Sequence, residues 1–539
     1  MSGRSVRLES GKRMPSNDLD DARGRLVRSA STITPLTLLS RVTGYLRDRV
    51  IALTLGAGMR SDAFFVAFRI PNMLREIIGE GAMSSAVIPV YAEVSATRSE
   101  QEARAFVGRV VGTFALILTV ITVAGICASP WLVDLLAGQY RATPGKFELT
   151  VLLNRWIFPY ILLVSLAAFC QAILNAHHRF AVAAAAPIFL NVAVILSALV
   201  LSPRMADPTY GLAVGVLAGG VLQIAIQVPQ LRRLRAVGRP ALGWSDPAVR
   251  SVLLLMSPRL LAYGINSVNT VVSTRFAASL GNSGVSHMYY AQRLKELVLG
   301  GFAVSVATAI LPMLSKQALA ADREPFKDNL AFALRLIAFV TLPATVGLVA
   351  LQVPIVRVLF QGGRFGDADT HATAGALATL ALGLFFFAGV RVVVPAFYAL
   401  KNTTLPVAAA LADAAVFILL CLLLTGPLGL PGIGLAASAA AAVNVAVLMF
   451  ALRRREGPLR GRAIASSLAR IAAASAVMGG FLWAAARVVP ESAYVGWRGA
   501  GLLTLVIGLA AACYWLSAHW LGAPEPAELK RVASRRKRA

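Results

Sequence analysis

The feature that most constrains this chain is a succession of apolar blocks, each about 20 residues long and separated by short polar segments. A helix of that length crosses a hydrocarbon layer roughly 30 Å thick. Of the 539 residues, 57% are hydrophobic and only 14% are charged, and the mean hydropathy is +0.69. Soluble proteins carry about 25% charged residues. The sequence therefore predicts an all-α polytopic membrane protein.

The charge is strongly unbalanced, with 52 Lys and Arg against 26 Asp and Glu and a net charge of +26. Nucleic-acid-binding proteins are also basic, but their cations lie on a soluble surface, whereas here most lie beside or inside the apolar blocks. The placement argues against nucleic acid as a partner. The four cysteines have no CxxC spacing, and the five histidines form no HExxH or Cys/His cluster. We expect no metal site, no cofactor and no catalytic residue.

Fourteen blocks qualify as membrane-spanning helices, although the first two are only weakly apolar. They lie at 31–57, 62–94, 104–127, 147–176, 180–202, 209–230, 250–280, 284–315, 329–352, 370–399, 404–425, 432–452, 463–486 and 499–521. Lys and Arg concentrate in the cytoplasmic loops of membrane proteins. With a cytoplasmic N-terminus, 31 of them fall in inner segments and seven in outer ones. Both termini are therefore expected in the cytoplasm.

An internal repeat divides the chain. Motifs at 55–69, 182–185 and 208–213 recur in the same order at 280–293, 407–410 and 431–436. Six helices per repeat is an even number, so we expect two parallel lobes related by pseudo-two-fold symmetry, with a substrate site between them near the midplane. The predicted parts are a disordered basic cytoplasmic leader (1–30), an N-lobe (31–235), a C-lobe (248–452), two further helices (463–521) and a basic cytoplasmic tail (522–539).

Charged residues concentrate in predicted spans 1, 2 and 8, at corresponding places in the two lobes. They are Arg41, Arg47, Asp48 and Arg49; Asp62, Arg69, Arg75, Glu76 and Glu80; and Arg293, Lys295 and Glu296. Each is costly in a membrane unless it faces water or a partner. One interpretation is a set of ion pairs that stabilise packing. The other is a water-filled cationic cavity, because Arg outnumbers acid on span 1, and this favours an anionic substrate over a cationic drug.

The same segments carry a family resemblance. They read SRVTGYLRD at 40–48, GAGMRSDAFFVAFRIPN at 56–72, EGA at 80–82, MYYAQRL at 288–294 and ILP at 310–312. This pattern closely resembles the MurJ (MviN) lipid II flippase family, over about residues 30 to 521. The resemblance implies the fold of the multidrug/oligosaccharidyl-lipid/polysaccharide transporter superfamily, with fourteen helices.

It also implies a function in peptidoglycan biosynthesis and cell-wall biogenesis. Family members carry lipid II, the undecaprenyl-pyrophosphate-linked precursor, from the inner to the outer leaflet of the bacterial cytoplasmic membrane by alternating access. By motif match, the substrate-binding residues would be Arg41, Arg47, Arg75 and Arg293, and the gate or ion-pair partners would be Asp48, Asp62, Arg69, Glu80 and Glu296. Helices 463–486 and 499–521 resemble the pair that forms a groove for the lipid tail. Gln292 departs from relatives that have an acid there, and the leader is longer than expected.

Two alternatives stay open at this point. A flippase for another polyprenyl-pyrophosphate-linked glycan would need the same cationic cavity. A cation-coupled drug exporter would have the same fold, but acids would dominate its cavity, and this sequence shows the reverse. The sequence assigns neither a coupling ion nor an oligomeric state. Expected contacts are lipid II and membrane lipids, and whether cell-wall synthesis proteins bind the inner basic loops is left open.

Overall fold

The computed structural model describes residues 16–78, 83–320 and 322–528, with side chains from residue 35 onward except 74, 76–78, 84–85 and 257–266. The described part is helical, apart from turns and one isolated bridge between Gly362 and Phe365. The helices are α1 Ser16–Leu55, α2 Met59–Ile78, α3 Ser84–Thr97, α4 Glu100–Ala137, α5 Lys146–Ile157, α6 Tyr160–Ala176, α7 Phe180–Leu196, α8 Pro208–Arg233, α9 Pro247–Ala278, α10 Gly284–Gln317, α11 Glu324–Ala350, α12 Gln352–Phe360, α13 Asp367–Ala381, α14 Leu384–Ala399, α15 Thr404–Leu428, α16 Leu430–Glu456, α17 Gly461–Val488 and α18 Gly496–Trp520.

Ten of the described helical segments are long and apolar enough to cross a membrane, and the bent pair α13–α14, with a 45° angle, would make an eleventh. This confirms a multi-pass all-helical fold, whereas the count of fourteen stays a prediction. Three predicted spans have no counterpart among these segments when only the described residues are considered; they correspond to α1, to α2 with α3, and to α9. The first two carry the arginines and carboxylates noted above, which lower their hydropathy.

Local sequence signals fix where several helices begin. Asp207 and Asp246 each precede a proline, and their side chains accept a hydrogen bond from the backbone N–H two residues later, at 2.9 Å in both cases. Ser99 and Glu102 form a capping box at the start of α4. Helix α1 begins at Ser16, within the segment predicted as the leader.

Small residues allow close helix packing inside each half of the chain. On α8, Gly211, Gly215 and Gly219 follow a four-residue spacing and face the α7 side, where an added Cβ would lie 2.5–2.6 Å from Ser202, Ser197 and Leu190. The repeat counterpart of Gly211 is Gly434 on α16, where an added Cβ would lie 2.2 Å from Thr379 Oγ1. Such stripes bring membrane helices together without a hydrophobic driving force. Helices α7–α8 and α15–α16 are among the most extensively packed pairs.

The last two helices attach to the rest of the chain through α11. Ile471, Ala474 and Met478 of α17 and Leu503 and Val506 of α18 form a separate hydrophobic cluster with Phe339 of α11. The Tyr514 hydroxyl also donates a hydrogen bond to the Phe339 carbonyl, at 2.8 Å. The pair therefore lies against the second half of the chain, and none of its residues is among the described lining residues of the cavity described next.

Candidate functional site

A cavity of about 540 Å³ lies between helices of the two halves, chiefly α1, α2, α7, α8 and α10. Among its described lining residues are five arginines and two carboxylates: Arg41, Arg47, Arg69, Arg75, Arg293, Asp48 and Glu296. These seven come from predicted spans 1, 2 and 8, so the structure brings the intramembrane charges of both repeats to one place. The cavity wall carries a cationic excess.

The centre of this wall is the Asp48 cluster, made of Asp48, Arg47, Arg293, Tyr289 and Asn191. The Asp48 carboxylate is fully buried. Arg47 Nη2 lies 2.7 Å from one of its oxygens, and Arg293 Nε lies 2.6 Å from the other. Tyr289 donates a further hydrogen bond to it at 3.1 Å, and Arg47 donates to Asn191 Oδ1 at 3.1 Å. Two guanidinium groups therefore share one carboxylate, which leaves one formal positive charge.

The two arginines of this cluster differ in access. Arg47 is 9% exposed, whereas the side chain of Arg293 is 46% exposed and comes from α10 of the second half. Because Asp48 belongs to α1, the Asp48–Arg293 ion pair joins the two halves across the cavity. An anion entering the cavity meets the Arg293 guanidinium, whose remaining N–H groups can donate to it.

The other cavity charges lie around this cluster. Arg41 donates to the Gly300 carbonyl at 2.7 Å and so joins α1 to α10, and Arg75 donates to Asn72 Oδ1 at 3.0 Å. Helical spacing places Glu296 on the same face as Arg293, but Glu296 pairs with Arg391 of α14, at 3.0 Å, and with Lys295, at 3.9 Å. Glu80 and the side chain of Glu76 lie outside the described residues.

Asp62 lies away from the cavity wall, in a second buried group that we term the Asp62 cluster: Asp62, Lys146, Tyr140, Ser61 and Ser286. All but Tyr140 are 0% exposed, and Tyr140 is 1% exposed. Lys146 Nζ lies 3.0 Å from the Asp62 carboxylate, to which Tyr140 donates at 3.2 Å. The backbone N–H and the hydroxyl of Ser286 also donate to it, at 2.8 and 2.5 Å. One carboxylate and one ammonium group make this cluster formally neutral.

The Asp62 cluster joins the equivalent segments of the internal repeat. Ser61 and Ser286 occupy matching positions in the first motif, and their hydroxyl oxygens lie 2.9 Å apart. Phe65 and Tyr289, from the same motif pair, stack with ring centroids 4.0 Å apart. The internal repeat in the sequence therefore predicts this contact, since a pseudo-two-fold axis can bring equivalent segments together. No sequence feature marks Lys146 as a partner of Asp62, because Lys146 falls in a predicted outer loop.

Contacts between α1 and the α12 region lie at the same end. Arg49 donates to the carbonyls of Val358 and Leu359, at 2.6 and 2.7 Å, near the C-terminus of α12. The Arg364 N–H donates to the Leu53 carbonyl at 3.0 Å. Gly56 lies next to this contact and has φ +69°, and an added Cβ there would lie 2.4 Å from the Arg364 carbonyl oxygen. A side chain at Gly56 would block this close approach.

We therefore call the end where α1 finishes and α10 begins the closed end. Along α1, exposure falls from Leu38, at 59%, to Ile51, at 2%. Along α10, the trend is opposite, from Ser286, at 0%, to Val304, at 40%. The first turns of α10 and the end of α1 are thus buried at the closed end, whereas the N-terminal part of α1 and the later part of α10 are more exposed and are joined by the Arg41–Gly300 hydrogen bond.

The chemistry that this arrangement supports is the binding of an anion. Among the side chains that the structure describes, no three from His, Cys, Asp and Glu come together in a way that could hold a metal ion. The cavity is lined by guanidinium groups, amides such as Asn191 and Gln223, and aromatic rings. Guanidinium groups suit bidentate contacts to phosphate.

The chain is similar to proteins of known function. Residues 51–497 match the family model described as lipid II flippase MurJ. The chain is 35% identical over 503 residues to a probable lipid II flippase MurJ of Vibrio cholerae, covering 91% of this chain and 95% of that protein. It is 34% identical over 434 residues to a lipid II flippase MurJ of Burkholderia cenocepacia, covering 80% and 84%.

Solved structures give the same picture. A lipid II flippase MurJ in an inward closed conformation aligns with a TM-score of 0.75 at 26% identity, over 90% of this chain and 97% of that one. An inward-facing multidrug resistance transporter of the MATE family aligns with a TM-score of 0.65 at 16% identity, over 80% and 99%. The second likeness concerns the fold alone.

Proposed function

The chain belongs to the lipid II flippase MurJ family, and from this premise we propose that it moves lipid II from the inner to the outer leaflet of the bacterial cytoplasmic membrane. Its relatives are named as flippases, that is, as transporters rather than enzymes. The observation that carries the proposal for this chain is the cavity between the halves, with five arginines against two carboxylates among its described lining residues.

We propose that Arg41, Arg47, Arg75 and Arg293 bind the pyrophosphate of the substrate. Pyrophosphate oxygens accept charge-assisted hydrogen bonds, each worth about 1.5–3 kcal/mol. Asp48 holds Arg47 and Arg293 in position by its two ion pairs. It also neutralises one charge of the pair, so that an empty cavity does not hold two uncompensated guanidinium groups. The substrate first replaces water at the exposed side of Arg293 and then competes with Asp48 for this guanidinium group.

In this proposal, Asp48, Asp62, Arg69, Glu80 and Glu296 are gate or ion-pair partners. Opening toward the outer leaflet requires that the closed end separate, which breaks the Asp62–Ser286 hydrogen bonds and the Arg49 contacts to α12. The Asp48–Arg293 pair also crosses between the halves, so a bound pyrophosphate that takes over Arg293 weakens one link between them. Substrate binding is thereby coupled to opening.

We also propose an orientation for the chain in the membrane. Both termini lie in the cytoplasm, the N-lobe spans 31–235, the C-lobe spans 248–452, and the cavity mouth opposite the closed end faces the cytoplasm. The lipid tail stays in the membrane beside the helix pair at 463–521. The excess of Lys and Arg in the inner segments supports this orientation.

Two other functions share part of this support. A flippase for another polyprenyl-pyrophosphate-linked glycan would use the same guanidinium groups, and the direct test is the identity of the lipid that is moved. A cation-coupled drug exporter would share the MATE-like fold, but the cationic excess of the cavity repels a positively charged drug. The cavity charge therefore favours an anionic lipid.

The proposal is tested by replacing the native flippase in a depletable bacterial strain and scoring lipid II exposure at the outer surface. The compared chains are wild type, Arg47→Ala, Arg293→Ala and Arg487→Ala, at matched membrane abundance. Arg487 is a suitable control because it is exposed on α17 and lies over Trp483, away from the cavity lining. We expect exposure with wild type and Arg487→Ala only. Wild type in the membrane without lipid II exposure would contradict the substrate, and active Arg47→Ala and Arg293→Ala chains would contradict the site.

A further inference from the structure

The segment between the two halves, residues 234–246, is bound along the first turns of α4 rather than looped into solvent. The N–H groups of Gly238 and Ala241 donate to the carbonyls of Arg104 and Gly108, both at 3.1 Å. The Gly243 N–H donates to the Thr113 hydroxyl at 2.9 Å. We term this segment the linker strap.

Two glycines of α4 make this close approach possible. An added Cβ at Gly108 would lie 2.2 Å from the Arg239 carbonyl oxygen, and one at Gly112 would lie 2.3 Å from the Ala241 carbonyl oxygen. At the end of the strap, Asp246 caps α9 and lies 3.3 Å from Arg109 of α4. The backbone of the strap is therefore fixed on α4 at several points, which fixes the directions of its side chains.

Most of the exposed side chains of the strap are cationic or apolar. Exposed arginines occupy the strap and the helix ends beside it: Arg232, Arg233, Arg235, Arg239 and Arg250. Over 232–250 the sequence contains one acid, Asp246, which is 8% exposed and paired with Arg109. Between the arginines, Val237, Leu242 and Trp244 are 40%, 59% and 45% exposed.

The strap joins two helices that the sequence predicts to span the membrane. Helix α8 ends at Arg233 and α9 begins at Pro247, so the strap connects the ends of two helices of the bundle. The apolar exposure continues onto the first turns of α9, where Leu255 is 49% exposed. A surface that combines Arg with Trp and Leu at the ends of membrane helices is typical of segments that lie in the headgroup region of a bilayer.

We propose that the linker strap is a binding surface for anionic phospholipid headgroups, with Trp244 and Leu242 at the acyl boundary and the surrounding arginines on the lipid phosphates. This contact goes beyond the movement of lipid II, because it concerns bulk lipids outside the cavity. Trp prefers the membrane interface and guanidinium groups prefer phosphate. The immobilised backbone removes the backbone part of the ordering cost on binding.

The experiment uses the full chain reconstituted in phosphatidylcholine vesicles that contain about one quarter phosphatidylglycerol, a fraction set so that anionic lipid competes with neutral lipid at the surface. Bromine atoms near the carbonyl end of the acyl chains are placed either on the phosphatidylglycerol or on an equal fraction of the phosphatidylcholine. The readout is tryptophan quenching. Since the chain has seven tryptophans, each protein is measured beside its Trp244→Phe form, and the difference isolates Trp244.

We expect brominated phosphatidylglycerol to quench Trp244 at least about twofold more than brominated phosphatidylcholine, because the neighbouring arginines enrich anionic lipid. Arg233→Ser with Arg239→Ser should remove this preference. The matched control is Arg453→Ser with Arg454→Ser, which removes two exposed arginines from another predicted inner segment and should leave the preference unchanged. In wild type, about 0.5 M salt should weaken the preference, since it screens exposed charges.

Equal quenching by the two brominated lipids in wild type would overturn the proposal. The absence of quenching by either lipid would also overturn it and would favour a soluble protein partner at this surface. Loss of the preference on adding millimolar glycerol phosphate would also overturn it, because the strap would then recognise the free phosphate group. Loss in the Arg453→Ser, Arg454→Ser control would show an effect of net charge only. Lipid II exposure is measured separately, so a failure here leaves the proposed function untouched.

Discussion

Two buried carboxylates of this chain, Asp48 and Asp62, have the same kind of partners but opposite surroundings. Asp62 is paired with one ammonium group, and its hydrogen-bonding partners are buried with it at the closed end. Asp48 is shared by two guanidinium groups, one of which is 46% exposed to the cavity. The comparison shows that two clusters built on buried ion pairs can differ in net charge and in access to water. In the proposed function, these two properties separate a binding cluster from a structural one.

The Asp62 cluster is neutral and closed, so removing one partner leaves a buried charge with nothing to replace it. Lys146→Met should therefore lower the stability of this conformation by about 3–5 kcal/mol, the usual effect of breaking a buried pair. This should appear as a large drop in the thermal unfolding midpoint of the purified protein.

Asp62→Asn combined with Lys146→Met removes both charges and provides the matched control. We expect it to recover most of the lost stability, because no unpaired buried charge then remains. A single Lys146→Met chain that unfolds at the wild-type temperature would contradict the description of this cluster as a closed ion pair.

The Asp48 cluster should respond in the opposite way, with a large effect on transport and a small effect on stability. Arg293→Gln removes the exposed cation, while Arg47 and Tyr289 still satisfy Asp48. One or two lost charge-assisted hydrogen bonds correspond to a loss of about tenfold to hundredfold in lipid II transport. Lipid II exposure and the unfolding midpoint should be measured on the same preparations. An unfolding midpoint as low as that of Lys146→Met, with transport retained, would reverse the roles assigned to the clusters.

Each of the two carboxylates accepts a hydrogen bond from one tyrosine. Tyr140 donates to Asp62 and Tyr289 donates to Asp48, at 3.2 and 3.1 Å, but only Tyr140 is fully buried. Tyr140→Phe should destabilise the protein by about 1–3 kcal/mol, because no water replaces the lost donor. Tyr289→Phe should destabilise it less, because Arg47 and Arg293 still donate to Asp48 at 2.7 and 2.6 Å. Thermal unfolding of both variants tests this order, and an equal or reversed order would contradict the difference between the two clusters.

The smallest effect is expected at the Glu296–Arg391 pair, whose side chains are 45% and 33% exposed. Exposed pairs contribute about 0–1 kcal/mol. Arg391→Gln should therefore change lipid II transport less than about threefold and leave the unfolding midpoint nearly unchanged. A transport loss as large as that of Arg293→Gln would show that this pair belongs to the binding site.

Hydropathy predicts much of the fold, because ten described helical segments qualify as spans on length and composition alone. It is least informative for α1 and α2, which carry most of the cavity charges. Arg41, Arg47, Arg69 and Arg75 of these helices line the cavity, which is the arrangement that makes charges tolerable inside a membrane, and a hydropathy average cannot express a direction.

The charged residues of the cavity are easier to predict from the sequence than the buried residues of the closed end. Charges inside apolar helices are costly, so Asp48 and Arg293 are conspicuous in the amino-acid sequence itself. Lys146 gives no such signal, because a lysine at the end of a span is ordinarily explained by snorkelling to the interface. Its burial depends on α2, α5 and α10 meeting, which is a tertiary property. The roles of all these residues in transport stay proposals.

The most direct test of the cationic cavity is the affinity of the purified protein for lipid II in lipid nanodiscs, compared between wild type, Arg293→Gln and Arg391→Gln. Both variants remove an ion-paired arginine, but only Arg293 is among the described residues that line the cavity. We predict that Arg293→Gln weakens binding by at least about tenfold, and Arg391→Gln by less than about threefold. Equal affinity of wild type and Arg293→Gln would contradict the claim that the exposed guanidinium of the Asp48 cluster binds the pyrophosphate.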